Sequence, residues 1–249
     1  MNNDRSRSGA ASSVLMIYVL ASILNVVGNG LAGPAIAYVT KPLLMPALFV
    51  WVLLVATRPL GRTQRRLLLG MVFAWLGDLL LIAQDISSDG GVFFLLGLAA
   101  FFGMQVCFIA AFLGVPGNHL LRQGPVLALP LVAYWLVMNL MLQPGALRIP
   151  VLIYSVVLVG MAIAALDLVP RLAVPFGWRV FTGSVFFVIS DSLIALQAFG
   201  GMEIGRWQGV LVMATYTIAQ FLIVTGLIAG TNRPEHTPMG PGSTATSSS

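Results

Sequence analysis

Two aspartates, Asp78 and Asp191, stand inside long apolar runs, where a charged side chain is costly to place. Two carboxyl groups forced together in an apolar setting share a proton. Such a pair suits acid/base hydrolysis, and it equally suits proton coupling along an ion pathway. A third interpretation is a hydrogen bond between helices that only fixes their packing. These two residues are therefore the first candidates for chemistry.

The two aspartates occupy matching positions in their predicted helices. Asp78 lies eleven residues after Leu67, and Asp191 lies eleven residues after Val180, the residues at which their apolar runs begin. At about 1.5 Å per residue, both lie roughly 16 Å from the helix start, just beyond the midplane of a bilayer. We predict that the two helices pack side by side and that the carboxyl groups meet at one small cavity.

Further polar residues fall in the same layer and predict the lining of a wet, substrate-binding pocket. They are Lys41, Gln105, Tyr154, Ser190, Tyr216 and Gln220, with Asn25 and Asn139 as further members of the layer. Each of them alone is more often a packing contact than a ligand. Lys41 opens its run in KPLLMP, so it either extends to the membrane interface or provides a positive charge for a lipid phosphate. Pro42 and Pro46 are expected to kink or loosen the start of that helix.

Several kinds of site are excluded by the residues that the sequence lacks. Its two histidines, His119 and His236, fall in a loop and in the tail, so no histidine-based zinc site fits within the membrane. A Ser-His-Asp triad fails for the same reason, although Ser190 precedes Asp191. No Walker-type loop or dinucleotide fingerprint occurs in the required context. Carboxylates remain as the strong acid/base groups, and we expect no metal and no cofactor.

The composition indicates what must position these residues. Of 249 residues, 58% are hydrophobic and 8% are charged, whereas soluble domains carry about 25% charged residues. A spanning helix needs roughly 20 apolar residues. We therefore predict an all-α integral membrane protein, a bundle of eight transmembrane helices, at about 14–33, 41–57, 67–84, 92–113, 125–142, 148–166, 180–199 and 207–230.

Charge and the chain ends complete this organisation. The net charge of +5 does not indicate nucleic-acid binding, because the basic residues separate apolar runs and form no aromatic-interleaved patch. We predict a short polar N-terminus over 1–13, a transmembrane domain over 14–231 and a disordered tail over 232–249. With the N-terminus inside, ten Lys and Arg residues are cytoplasmic and three are not. Both termini are therefore expected to be cytoplasmic, in a multi-pass protein of the plasma membrane.

A short internal similarity suggests duplication. The third run contains GDLLLIAQ from Gly77, and the seventh contains SDSLIALQ from Ser190. In each, a glutamine (Gln84 or Gln197) follows the aspartate by six residues, and Gln105 and Gln220 have similar offsets in the fourth and eighth runs. A spacing of four helices would relate two parallel four-helix repeats. A chance match remains an equal alternative.

Five segments resemble the YhhN family, which includes the mammalian lysoplasmalogenases: KPLLMP at 41, LGDLLL at 76, FFLLGLAAFF at 93, RVFTGSVFFVISDSLIAL at 179 and YTIAQFLIVTG at 216. The resemblance implies an eight-helix membrane hydrolase that cleaves the vinyl ether bond of lysoplasmalogens. It maps functional positions onto Asp78 and Asp191, with Lys41, Tyr154 and Gln220 in the pocket. The family's fourth helix commonly carries F-x-x-x-H-x-x-Y, where this chain has Phe101, Gln105 and Phe108.

The chemistry of a vinyl ether fits a pair of carboxyl groups. Such a bond hydrolyses when a proton adds to the terminal alkene carbon and water captures the resulting oxocarbenium ion. This needs one protonated carboxylic acid and one carboxylate, and either aspartate could take either role. The expected partners are a lysophospholipid substrate and membrane lipid. A proton-coupled transporter of a small molecule or lipid is the alternative, and a noncatalytic scaffold is the third.

Overall fold

The computed structural model of the chain describes residues 2–32, 34–202, 205 and 207–232. These residues form helices and no strand, so the predicted all-α class is confirmed. Among these described residues, seven helices are long and apolar enough to cross a membrane, and an eighth apolar helical segment over Pro125–Met141 is shorter. The predicted disordered tail, apart from Asn232, lies outside the described residues.

Within the described part of the chain, nine α-helices follow one another. They are α1 (Asn2–Val27), α2 (Pro34–Val55), α3 (Arg62–Ile86), α4 (Gly90–Leu113), α5 (Leu120–Gln123), α6 (Leu129–Met141), α7 (Arg148–Leu168), α8 (Phe176–Phe199) and α9 (Trp207–Thr231). A π-helical turn, Gly28–Ala32, links α1 to α2, and 3₁₀ turns flank α6 and α7. Most helices correspond to a predicted apolar run, although α1, α2, α3 and α8 begin several residues before it.

Seven of these helices form a closed ring. Within the described residues, each packs against the next in the order α1, α2, α3, α4, α7, α8, α9 and back to α1. The helix α6 lies outside this ring, against α7. Asp78 and Asp191 belong to α3 and α8, which are separated in the ring by α4 and α7 on one side. The prediction that their helices pack side by side was therefore wrong: the two helices face each other across the bundle.

Small residues allow the hairpins α3–α4 and α8–α9 to pack closely. A Cβ atom on Gly77 of α3 would lie 2.8 Å from the Phe101 ring of α4. A Cβ atom on Gly183 of α8 would lie 2.9 Å from the Ala219 carbonyl oxygen of α9. Membrane helices commonly use small residues in this way, since lipid provides no hydrophobic drive for their association. The close approach at Gly77 allows the Phe101 side chain to reach the interior of the helix bundle.

The helix α2 continues through both of its internal prolines. Pro46 has no N–H group to donate to the carbonyl oxygen of Pro42, four residues earlier. Instead, the indole Nε1 of Trp75 on α3 donates to that oxygen at 2.9 Å. Because α2 begins at Pro34, Lys41 lies two turns inside the helix and not at its start, as the apolar run had suggested.

Candidate active site

Six of the seven ring helices line one interior cavity with a volume of about 80 Å³. Six of its lining residues are polar or charged: Lys41, Asp78, Tyr154, Ser190, Asp191 and Tyr216. The remaining lining is aliphatic and aromatic. Since one water molecule needs about 10–15 Å³ of such cavity volume, the cavity has room for several water-sized groups. The ring thus brings the two aspartates of the sequence prediction to one shared space.

The Asp78 carboxyl group is almost fully buried, with 1% exposure. Its Oδ1 lies 3.6 Å from the Lys41 ammonium nitrogen, and its Oδ2 accepts a hydrogen bond of 2.8 Å from the Tyr216 hydroxyl. A cation and a hydrogen-bond donor together offset the cost of burying a carboxylate. The sequence offered two roles for Lys41, at the interface or against a lipid phosphate; in the structure its ammonium group pairs with Asp78.

Two phenylalanine rings hold Tyr216 in position. The rings of Phe101 and Tyr216 meet edge to face with centroids 6.1 Å apart, and those of Phe187 and Tyr216 do so at 5.9 Å. Edge-to-face contacts are a favourable aromatic geometry. They fix the phenol ring so that its hydroxyl points at Asp78.

Asp191 has a different environment in the same cavity. Its Oδ2 accepts a short hydrogen bond from the Tyr154 hydroxyl of α7. Among the ion pairs of the described residues, none involves Asp191. The residue as a whole is half-buried, and it borders the cavity. One aspartate of the cavity is therefore paired with a cation, and the other is paired with a neutral phenol.

Of three other residues predicted to line the pocket, one does so and two do not. Ser190 borders the cavity, and its hydroxyl donates to the Val212 carbonyl oxygen of α9 at 3.0 Å. Gln105 and Gln220 do not line the cavity. Each is fully buried and lies one helical turn beyond a residue that does line it, Phe101 and Tyr216 respectively. The Gln220 amide nitrogen contacts the Met104 sulfur at 3.3 Å. The expectation that the two glutamines line the pocket is corrected accordingly.

The apolar side chains that α4 contributes to the lining were not predicted from the sequence. Phe94, Leu98 and Phe101 of α4 all border the cavity. Their spacing of four and then three residues is that of a single helix face. This spacing was the available signal, but α4 is apolar around its whole circumference, and such a helix does not reveal which face is turned inward.

Another buried acid among the described residues, Asp167 near the end of α7, belongs to a separate cluster. Its carboxylate lies 2.5 Å from His119 Nδ1 and 3.0 Å from an Arg171 guanidinium nitrogen, and it accepts a hydrogen bond from the Leu121 N–H at 2.9 Å. These contacts fasten the segment after α4 to the end of α7. Within the described residues, no three His, Cys, Asp or Glu side chains form a group that could hold a metal ion.

The ring of apolar helices defines a multi-pass helical membrane protein in which two carboxyl groups border one cavity. A family model, that of the YhhN family, matches residues 36–227, which extend from α2 to α9. The chain belongs to the YhhN family, and the resemblance seen in the sequence is confirmed. No curated protein and no solved structure matches the chain.

Proposed function

We propose that this protein is a membrane-embedded hydrolase of lysoplasmalogen-type lysophospholipids. It cleaves the vinyl ether bond with one water molecule and releases a fatty aldehyde and a glycerophospho-alcohol. The observation that carries the proposal is the pair of carboxyl groups, Asp78 and Asp191, that border one cavity with different partners. Family membership supports a hydrolase of this kind.

The different partners assign a role to each aspartate. Asp78 lies beside the Lys41 ammonium group, which favours the ionised carboxylate. Asp191 has no cation partner among the described residues, and an apolar surrounding favours a neutral carboxylic acid. Asp191 is therefore the proton donor, and Asp78 is the negative charge that stabilises a cation. The same division between two carboxyl groups operates in glycosidases.

The first step is proton transfer from Asp191 to carbon. The alkene electron pair forms a C–H bond with this proton at the carbon remote from the ether oxygen, and the positive charge is shared between the other alkene carbon and the oxygen. The Asp78 carboxylate faces this oxocarbenium ion across the cavity and stabilises it electrostatically. The mostly apolar lining lowers the local dielectric constant, which strengthens that interaction.

The second step uses one of the few water molecules for which the cavity has room. Water attacks the cationic carbon and gives a proton to the Asp191 carboxylate, which restores the acid. The resulting hemiacetal then breaks its bond to the glycerol oxygen, and the proton that the hemiacetal hydroxyl loses as the aldehyde carbonyl forms is transferred to that oxygen. Asp191 ends in its starting state, so the sequence of steps needs no cofactor to balance.

The proposal is tested by comparing two lysolipids with purified protein in lipid nanodiscs. A lysolipid with a vinyl ether chain should release aldehyde, whereas one with a saturated ether chain should not, because it has no alkene carbon to protonate. The two substrates share head group, chain length and net charge, so binding differences are small. Aldehyde is measured by trapping it as a hydrazone.

The alternative function, proton-coupled transport, is distinguished from hydrolysis by an assay in sealed vesicles. A hydrolase produces aldehyde without any ion gradient and does so equally in leaky vesicles. Movement of intact lysolipid across the vesicle wall, driven by a proton gradient and without aldehyde, would replace the hydrolase proposal with the transporter.

A further inference from the structure

A second cavity lies next to the first, between α6, α7 and α8, with a volume of about 50 Å³. The two cavities share four lining residues: Val151, Tyr154, Asp191 and Ala195. Tyr154 belongs to α7 and Asp191 to α8, so the hydrogen bond between them spans the seam between these two ring helices. Most of the remaining lining is apolar and comes from α6, α7 and α8.

The helix α6 covers this seam from outside the ring and is weakly embedded. None of its residues is buried. Polar contacts hold it in place: the Tyr134 hydroxyl donates to Ser192 Oγ of α8 at 2.7 Å, and Trp135 Nε1 donates to Ser155 Oγ of α7 at 3.0 Å. Asn139 also contacts Ser155 Oγ, at 3.4 Å. Hydrogen bonds and partly buried contacts such as that of Leu131 hold this helix, whereas the ring helices pack through fully buried side chains.

Neither cavity can enclose the long hydrocarbon chain of a lysolipid, because each has room only for a few water-sized groups. The hydrocarbon chain of the substrate must therefore extend from the vinyl ether bond out to the bilayer. The seam under α6 provides such a route, since its inner end is the Tyr154–Asp191 contact and its outer wall is a helix without a buried residue.

We propose that the seam between α7 and α8, covered by α6, is the binding site for the single hydrocarbon chain of the substrate. The inference rests on the proposed function. The chain lies under α6 with its first carbons beside Asp191, and its far end reaches the bilayer past α6. This places the alkene carbon next to the acid, at the border between the two cavities.

The apolar groove between α1 and α9 is the competing location. It is larger, about 380 Å³, and it is lined by residues such as Tyr18, Ile23 and Phe221. However, it shares no lining residue with the cavity that contains the two aspartates. A hydrocarbon chain bound there would contact neither Asp78 nor Asp191, because neither residue lines this groove.

Photolabelling locates the chain directly. The probe is a lysolipid with a saturated ether chain, which the proposed chemistry cannot cleave, and with a diazirine group at mid-chain. The full-length protein in nanodiscs is irradiated, and labelled peptides are identified by mass spectrometry with and without excess unlabelled vinyl ether lysolipid. We expect competable labelling of α6 and of the facing parts of α7 and α8. Competable labelling of the α1–α9 groove would overturn the inference.

A pair of variants on α6 tests the site in turnover. Met138 lines the second cavity, whereas Leu140 lies on the opposite, lipid-exposed side with 77% exposure. Met138→Trp should fill the seam, and we expect KM for a long-chain vinyl ether lysolipid to rise about tenfold or more while that for a short-chain one changes little. Leu140→Trp should leave both KM values unchanged. Equal effects of Met138→Trp on both chain lengths would contradict the assignment.

These outcomes separate the inference from the function on which it rests. If the wild-type protein releases no aldehyde from the vinyl ether lysolipid, the proposed function fails. If it releases aldehyde but the competable label lies away from α6, α7 and α8, the hydrolase stands and the chain site is wrong.

Discussion

Replacement of Asp191 by asparagine should lower the rate of aldehyde release by roughly 100- to 10,000-fold, the range that general acid catalysis contributes. Asparagine keeps the size of the side chain and can still accept the hydrogen bond from Tyr154, but it has no acidic proton to give. We expect kcat to fall while the thermal midpoint changes little. Both are measured on the purified variant, with hydrazone trapping and a thermal unfolding scan.

Two further variants show whether the proton itself is responsible. Asp89→Asn makes the same chemical change at an exposed aspartate between α3 and α4, outside the cavity, and should leave the rate unchanged. Tyr154→Phe removes the hydroxyl that contacts Asp191 and should cost up to roughly tenfold, the equivalent of one hydrogen bond. An Asp191→Asn variant with near wild-type activity would remove Asp191 from the mechanism.

Substitution of Lys41 by glutamine should reduce both stability and activity. The change leaves the Asp78 carboxylate buried without its cation, and breaking a buried ion pair by removing one partner costs about 3 kcal/mol or more. The lost charge also alters the carboxylate that stabilises the oxocarbenium ion. The free energy of unfolding, from chemical denaturation in detergent, and kcat report the two effects.

The double variant Lys41→Gln/Asp78→Asn separates these two effects. It contains no unpaired buried charge, so its stability should return most of the way to the wild-type value. Its activity should remain as low as that of Asp78→Asn alone, because the stabilising carboxylate is absent. Recovery of activity in the double variant would show that Asp78 serves only to neutralise Lys41.

The sequence was sufficient for the features set by local composition. The apolar runs predicted the helices, and the cost of a carboxyl group in lipid identified Asp78 and Asp191 as exceptional. Counting residues along each helix placed the two at matching positions, and both do border one cavity. The predicted cytoplasmic termini and the possible four-helix repeats remain predictions.

The arrangement of the helices was not predictable in the same way. Periodicity gives the depth of a residue along its helix but not the neighbours of that helix, and α3 and α8 are not adjacent in the ring. The position of Lys41 was obscured by the start of its helix at Pro34, seven residues before the apolar run. Gln105 and Gln220 were predicted to line the pocket, but they lie one helical turn beyond the cavity and are fully buried.

The most direct test of the central claim, that one fixed carboxylic acid protonates the alkene, is hydrolysis in heavy water. The aldehyde is reduced to the alcohol as it forms, and deuterium at the carbon beside the former carbonyl is analysed for its configuration. An acid held on one side of the cavity predicts a single deuterium in a single configuration. Equal amounts of the two configurations, as free acid in solution produces, would contradict the account.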